Sequence, residues 1–196
     1  PATIKQVESV GSQVGGEMYQ NSLLAIGLSL FLMMIYVAFR FRMKLAVGAV
    51  VSLVHDVLFT VGAFAIFGFP FDLTVLAAVL ALIGYSLNDT IVIFDRVREN
   101  FRKLRKADAI EIVDISLTET LRRTIMTVGT VLVVVVAMLW LGGPALRWFS
   151  VAMMIGLFAG TYSSIYIATS YALMMGLDKE DFIEKPKSEL VEETFD

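Results

Sequence analysis

The chain has 196 residues, of which 57% are hydrophobic, and a mean hydropathy of +0.75. Soluble domains sit at about 45–50% apolar content, so this composition excludes an ordinary soluble globular domain. A formal net charge of −3 says little by itself, whereas the absence of cysteine excludes disulfides, thiolate metal sites and thiol catalysis.

Residues 1–18 read as a polar lead-in. Lys5 is their only base, which does not suit a cleavable signal peptide, and Gly11, Gly15 and Gly16 argue against a firm helix. Five apolar stretches follow, at residues 19–39, 45–67, 73–94, 124–141 and 145–177. Each is long enough to cross about 30 Å of hydrocarbon. The fold class expected is an all-α polytopic membrane protein. Tight turns at 68–72 (with Pro70) and 142–144 (with Pro144) join spans two to three and four to five. The fifth stretch is long enough to be tilted, broken or to extend past the bilayer. Residues 178–196 form a solvated tail rich in acids.

The connector at 95–123 divides in two. Its basic first part, with Val97, Phe101 and Leu104 at helical spacing, suits a helix lying against anionic headgroups. Its second part places Ser116 and Glu119 at capping-box spacing ahead of span four. Of the 16 Lys and Arg, all but Lys5 and Arg147 fall on one side of this topology. That asymmetry places the connector and the C-terminus in the cytoplasm and the N-terminus outside. An external start without a signal peptide predicts a further span upstream, in a longer protein. The base count of the connector is what such a topology already demands, so it gives no support to nucleic-acid binding.

Charges inside the spans carry the functional reading. A carboxylate in hydrocarbon costs about 2.5–3.5 kcal/mol on insertion scales and is rarely kept without a role. Asp89 lies in span three toward the cytoplasmic side, and Tyr85, Asn88, Asp89, Val92 and Arg96 share one helical stripe. Removal from water disfavours the charged form of a carboxylate and a neighbouring arginine restores it. Relative movement of such a pair would load and unload a proton; a static interhelical hydrogen bond or ion pair is the alternative. Arg122 and Arg123 open span four, one free to snorkel while the other turns inward. His55 and Asp56, adjacent in span two, suit either a polar relay or a packing contact. A metal site is not expected, since His55 is the only histidine and no ligand cluster accompanies it. Gly156, Gly160 and Ser164 form a small-xxx-small series suited to close helix packing, as do Gly48 and Ser52. The chain has no P-loop and no GxSxG, and neither a catalytic residue nor a cofactor is expected.

Taken jointly, the run Gly84-Tyr85-Ser86-Leu87-Asn88-Asp89-Thr90, followed by Asp95-Arg96-Val97-Arg98-Glu99-Asn100, resembles the fourth-helix signature of the SecF family, membrane subunits of the bacterial SecDF protein-export complex. His55-Asp56, Leu121-Arg122-Arg123-Thr124 and Gly160-Thr161-Tyr162-Ser163-Ser164-Ile165-Tyr166 also fit. The resemblance implies five of the six helices of a resistance-nodulation-division-type half, without the first helix and periplasmic domain of the family. It implies Asp89 as the proton carrier and Arg123 as its modulator, with Asn88 where many relatives have a second Asp. It also implies a bacterial inner-membrane location. The partners it implies are SecD, the SecYEG channel, YajC and YidC, a preprotein substrate and membrane lipids. The work implied is completion of preprotein translocation by the proton motive force after the ATP-driven step. Two other readings stay open: a proton-coupled lipid or drug exporter of the same superfamily, and a purely structural assembly subunit.

Overall fold

The computed structural model describes residues 12–104, 106–178 and 181–182. Gly11, most of the acidic tail and the greater part of the polar lead-in lie outside them. The described residues are helical, without strands: α1 (Ser12–Arg40), α2 (Met43–Phe67), α3 (Leu73–Lys103), α4 (Ala109–Leu141), α5 (Gly143–Tyr162) and α6 (Ala168–Met174). A single π-helical turn, Ser163–Ile167, joins α5 to α6. Five helices, counting α5–α6 as one, are long and apolar enough to cross a membrane.

Local chemistry explains the boundaries. Gly68 closes α2 in the left-handed region at φ 63°, where the lack of a Cβ removes the penalty, and its N–H returns to the Ala65 and Phe64 carbonyls. The Asp72 carboxylate then caps α3, accepting from the N–H groups of Thr74 and Val75 at 2.9 Å each. Gly143 at φ 70° turns the chain into α5, with Pro144 in the first turn, where no N–H is needed.

Three boundaries differ from those read in the sequence. α1 begins at Ser12 and runs through Gly15 and Gly16. α3 does not stop at residue 94 but continues unbroken to Lys103, so the basic segment is an extension of the third span and not a separate helix. α4 starts at Ala109, which puts Ser116 and Glu119 inside a helix. The Ser116 hydroxyl donates to the Ile112 carbonyl at 2.6 Å, and Glu119 accepts from Arg96 at 2.6 Å and from Asn100 at 2.8 Å. These cross-links make the connector a helical hairpin. The sequence shows a capping pattern there, but tertiary contacts with α3 take both side chains.

Two apolar clusters fill the interior. One, toward the base-rich end, packs Leu45, Leu53, Phe94, Val97, Phe101 and Ile112 with Ala168 and Ala172. The other, toward the opposite end, packs Phe64, Val75, Leu82, Ala152 and Leu157. Between them lie buried polar side chains, including Ser52, Asp56, Ser86, Asp89, Ser163 and Ser164.

Close approach of the helices depends on small residues. A Cβ on Gly156 would collide with the Leu82 side chain, and one on Gly48 would collide with the Ala168 carbonyl oxygen. A Cβ on Gly160 would come within 3.3 Å of the Ser86 side chain and 3.5 Å of Asp56 Oδ2. The α5 backbone therefore receives side chains of α2 and α3 directly over the polar layer, while α2 and α6 meet backbone to backbone.

Candidate functional site

α3 carries the site because two of its buried positions face two different neighbours. Asp89, 5% exposed, points toward α4. Thr124 donates its hydroxyl to Asp89 Oδ1 at 3.4 Å, a long hydrogen bond. Among the described residues no ion pair reaches this carboxylate. Arg123, adjacent to Thr124 on α4 and exposed, acts on Asp89 only through space. The Tyr85 hydroxyl, one turn away, is enclosed beside Thr127 and makes no hydrogen bond. Asn88 is exposed on the flank of α3 and Val92 is half-buried. Arg96, from the same stripe, is turned away from Asp89 by Glu119 and Glu99, each at 2.6 Å.

On the other side Asp56, 4% exposed, is held from α2. Ser86 of α3 donates to its Oδ2 at 2.5 Å, and His55 Nδ1 lies 3.2 Å from its Oδ1. The His55 ring stacks on Phe59 with centroids 5.8 Å apart and leans toward Tyr162 at 6.5 Å. Ser52 donates to Ser163 Oγ at 2.9 Å, so the π-turn of the last span is fastened one helical turn from Asp56. The π-turn breaks the regular ladder beside a buried carboxylate, as such turns do at functional positions.

The two carboxylates thus differ in environment. Both Asp56 oxygens have a close polar partner; Asp89 has one distant donor and a cation at range. The Arg40–Asp95 ion pair at 2.7 Å marks on α3 the level at which the first apolar span ends. At about 1.5 Å per residue, Asp89 lies roughly 9 Å inside that level and Ser86 roughly 13 Å. A proton reaching Asp89 from the base-rich side would cross a short distance. No group of three or more His, Cys, Asp or Glu able to hold a metal occurs among the described residues.

Thr124, Ser86 and Thr127 were not singled out by sequence reasoning. Hydroxyls abound in membrane helices, where they satisfy backbone carbonyls, as Thr90 does with Ser86 at 3.1 Å. Only the fold shows which of them meet a carboxylate.

Residues 1–178 match the model of the family described as "Protein export membrane protein SecD/SecF, C-terminal". The chain belongs to the SecD/SecF C-terminal family. Among relatives, the protein translocase subunit SecF of Pseudomonas aeruginosa is 51% identical over 98% of this chain and 63% of its own length. The SecF subunit of Escherichia coli O157:H7 is 45% identical over 94% of this chain and 57% of its own. The crystal structure of SecDF, a translocon-associated membrane protein from Thermus, superimposes with a TM-score of 0.80 at 40% identity, covering 85% of this chain and 23% of that one. The chain therefore spans somewhat under two thirds of the SecF relatives. As a member of this family, the chain has five helices long and apolar enough to cross a membrane and is all-helical, without strands, through its described residues.

Proposed function

We propose that this chain forms the proton-coupled membrane part of a protein-export machine. Together with a SecD partner, it uses the proton motive force to complete preprotein translocation through the SecYEG channel after the ATP-driven step. The observation that carries this reading is the environment of Asp89: a buried carboxylate with one hydrogen bond at 3.4 Å, no ion-pair partner, and Arg123 close by but unengaged. Few contacts hold such a carboxylate, so modest movement of α4 against α3 changes its proton affinity.

In the cycle we infer, Asp89 takes up a proton and becomes neutral, and the attraction to Arg123 is lost. Thr124 is placed to bond either form of the carboxyl group, with the Tyr85 hydroxyl one turn away. When α4 slides to bring Arg123 nearer, the anion is favoured and the proton leaves. One charge crossing 100 mV supplies about 2.3 kcal/mol, enough to bias a conformational step. Asn88, exposed beside Asp89, is positioned to meet polar groups of the partner subunit. Asp56, with both oxygens engaged, fixes α2 to α3 in this cycle, and His55 orients it.

Membership of the export family and likeness to a SecDF chain support SecD as the partner. YajC and YidC fit as accessory partners of the same membrane. The charge asymmetry supports a cytoplasmic C-terminus, and membership of the export family supports a bacterial inner membrane. The role is transport, not enzymatic conversion.

Asp89→Asn in the full-length protein is expected to leave assembly with SecD intact and to abolish the part of preprotein export that depends on the proton gradient. Normal gradient-dependent export in that variant would eliminate the carrier assignment. A second reading, a purely structural subunit, draws on the tight packing at Gly156 and Gly160. It requires Gly160→Leu to disrupt the complex while Asp89→Asn leaves export unchanged.

A further inference from the structure

The base-rich end of the bundle holds a small cavity of about 210 Å³, remote from Asp89. Arg40 and Arg42, from the turn between α1 and α2, and Arg98 and Arg102, one turn apart on α3, converge on it. Its apolar wall includes Phe41 and Leu45, both buried, and Phe182, stacked on Phe101 with centroids 4.7 Å apart.

Among the described residues, most of this positive charge is not neutralised. Arg40 pairs with Asp95, and the cavity's one acid, Asp181, is taken by Lys44 at 2.7 Å. Among the described residues, Arg42, Arg98 and Arg102 make neither a side-chain hydrogen bond nor an ion pair. On the same hairpin Arg96 and Lys103 are, by contrast, both paired with Glu99. Guanidinium groups gathered from two segments around an enclosed space suit an oxyanion that they can grip in a planar, forked geometry.

The level of the cavity identifies the anion. Asp95 meets Arg40 where the first span ends, and Arg98 and Arg102 lie roughly 4.5 Å and 10.5 Å farther along α3. Those heights bracket the polar headgroup layer, about 5–8 Å deep on each face of a bilayer. Phe39, 89% exposed, lies on the cavity rim at the edge of the first span. A ligand with a phosphate among the arginines and an apolar chain running past Phe39 matches both halves of the surface. We propose that this cavity binds the headgroup phosphate of an anionic phospholipid, with Arg98 and Arg102 as its principal contacts. Through Arg42 and Arg40 the lipid would tie the start of α2 to the projecting part of α3.

The test uses the full-length protein in vesicles of phosphatidylcholine and phosphatidylglycerol, extracted gently and weighed with its retained lipids by native mass spectrometry. The wild type should retain phosphatidylglycerol over phosphatidylcholine. Each arginine near an anionic surface is worth a factor of about five, so Arg98→Gln with Arg102→Gln should lower that preference by about 30-fold. Arg122→Gln, at an exposed position outside the cavity, should leave it unchanged. Absence of a preference in the wild type, or an equal loss in Arg122→Gln, overturns the proposal. Displacement of the lipid by millimolar inorganic phosphate would also overturn it, in favour of a soluble anion. A preference that emerges only after removal of residues 184–196 would instead make the acidic tail the occupant. Unchanged helical circular dichroism in each variant guards against misfolding as the cause.

Discussion

The Ser86–Asp56 hydrogen bond offers a direct measure of how firmly the polar layer is held. It joins α3 to α2 at 2.5 Å between side chains 3% and 4% exposed. A hydrogen bond to a charged acceptor contributes about 1.5–3 kcal/mol in soluble proteins, whereas side-chain hydrogen bonds within membranes average about 0.6 and reach about 1.7 kcal/mol. The bond here is short and enclosed, and a Cβ on Gly160 would come within 3.3 Å of Ser86, so little room exists for a replacement water. A coupling of about 1–2 kcal/mol is therefore expected. The perturbation is a double-mutant cycle of Ser86→Ala and Asp56→Asn, each read by denaturant titration in mixed micelles. The Ala substitution leaves Asp56 Oδ2 without its donor, and the Asn substitution keeps the shape while removing the charge. If the two effects add to within about 0.3–0.5 kcal/mol, the residues act independently. Asp56 would then not be anchored through Ser86, and the contrast drawn between the two carboxylates would fail.

The glycine contacts predict an order of damage: Gly48→Ala should destabilise most, by about 2–3 kcal/mol, because the added methyl meets the Ala168 backbone oxygen. Gly156→Ala should cost less, since Leu82 can rotate, and Gly160→Ala least; thermal melts of the three variants check the ranking. Thr124→Val removes the only side-chain hydrogen bond to the Asp89 carboxylate among the described residues, so gradient-dependent export should fall about tenfold while the melting temperature shifts little; unaltered export would show that Thr124 does not serve Asp89. At the membrane surface, burial pushes the Asp181 carboxyl up, but hydrogen bonds from Lys44 and the Asp178 N–H, with the Lys44 and Arg42 charges, hold it below the usual carboxylate range. The folded value lies below the unfolded one, so docking of Phe182 is fully supported above the ordinary carboxylate range and is lost as pH falls through the depressed value. Phe182→Trp fluorescence should follow that loss, and Lys44→Met should move its midpoint to higher pH; an unmoved midpoint would show that Lys44 does not hold the segment.

Much of this architecture is legible in the residues because a bilayer allows few choices. Apolar length alone marks the spans, and Gly68, Asp72, Gly143 and Pro144 mark the turns with side chains whose conformational reasons are local. The excess length of the last span also signals an irregularity, which the π-turn at Ser163–Ile167 supplies. The extended α3–α4 hairpin is not legible in that way. Its helical spacing of Val97 and Phe101 is visible, but how its two helices pair depends on contacts made at a distance, from Arg96 to Glu119 and from Asn100 to Ser116. The site divides along the same line. Asp89 stands out as a costly charge in a span, and the family resemblance adds Arg123. Spacing on one helix also groups Arg96 with Asp89, yet Arg96 is drawn off by two glutamates, because a helical stripe 16 Å or so long need not face one neighbour throughout. Ser86 as the anchor of Asp56 depends on α5 coming close enough through Gly156 and Gly160, which is a property of the packed bundle.

The most direct test asks which buried carboxylate changes protonation. Infrared difference spectra of the full-length protein in proteoliposomes, recorded across a pH titration, resolve the carbonyl stretch of a protonated carboxyl group. The expected result is a titrating band that disappears in Asp89→Asn and persists in Asp56→Asn. A band that survives Asp89→Asn, or vanishes only in Asp56→Asn, would contradict the assignment of Asp89 as the proton carrier.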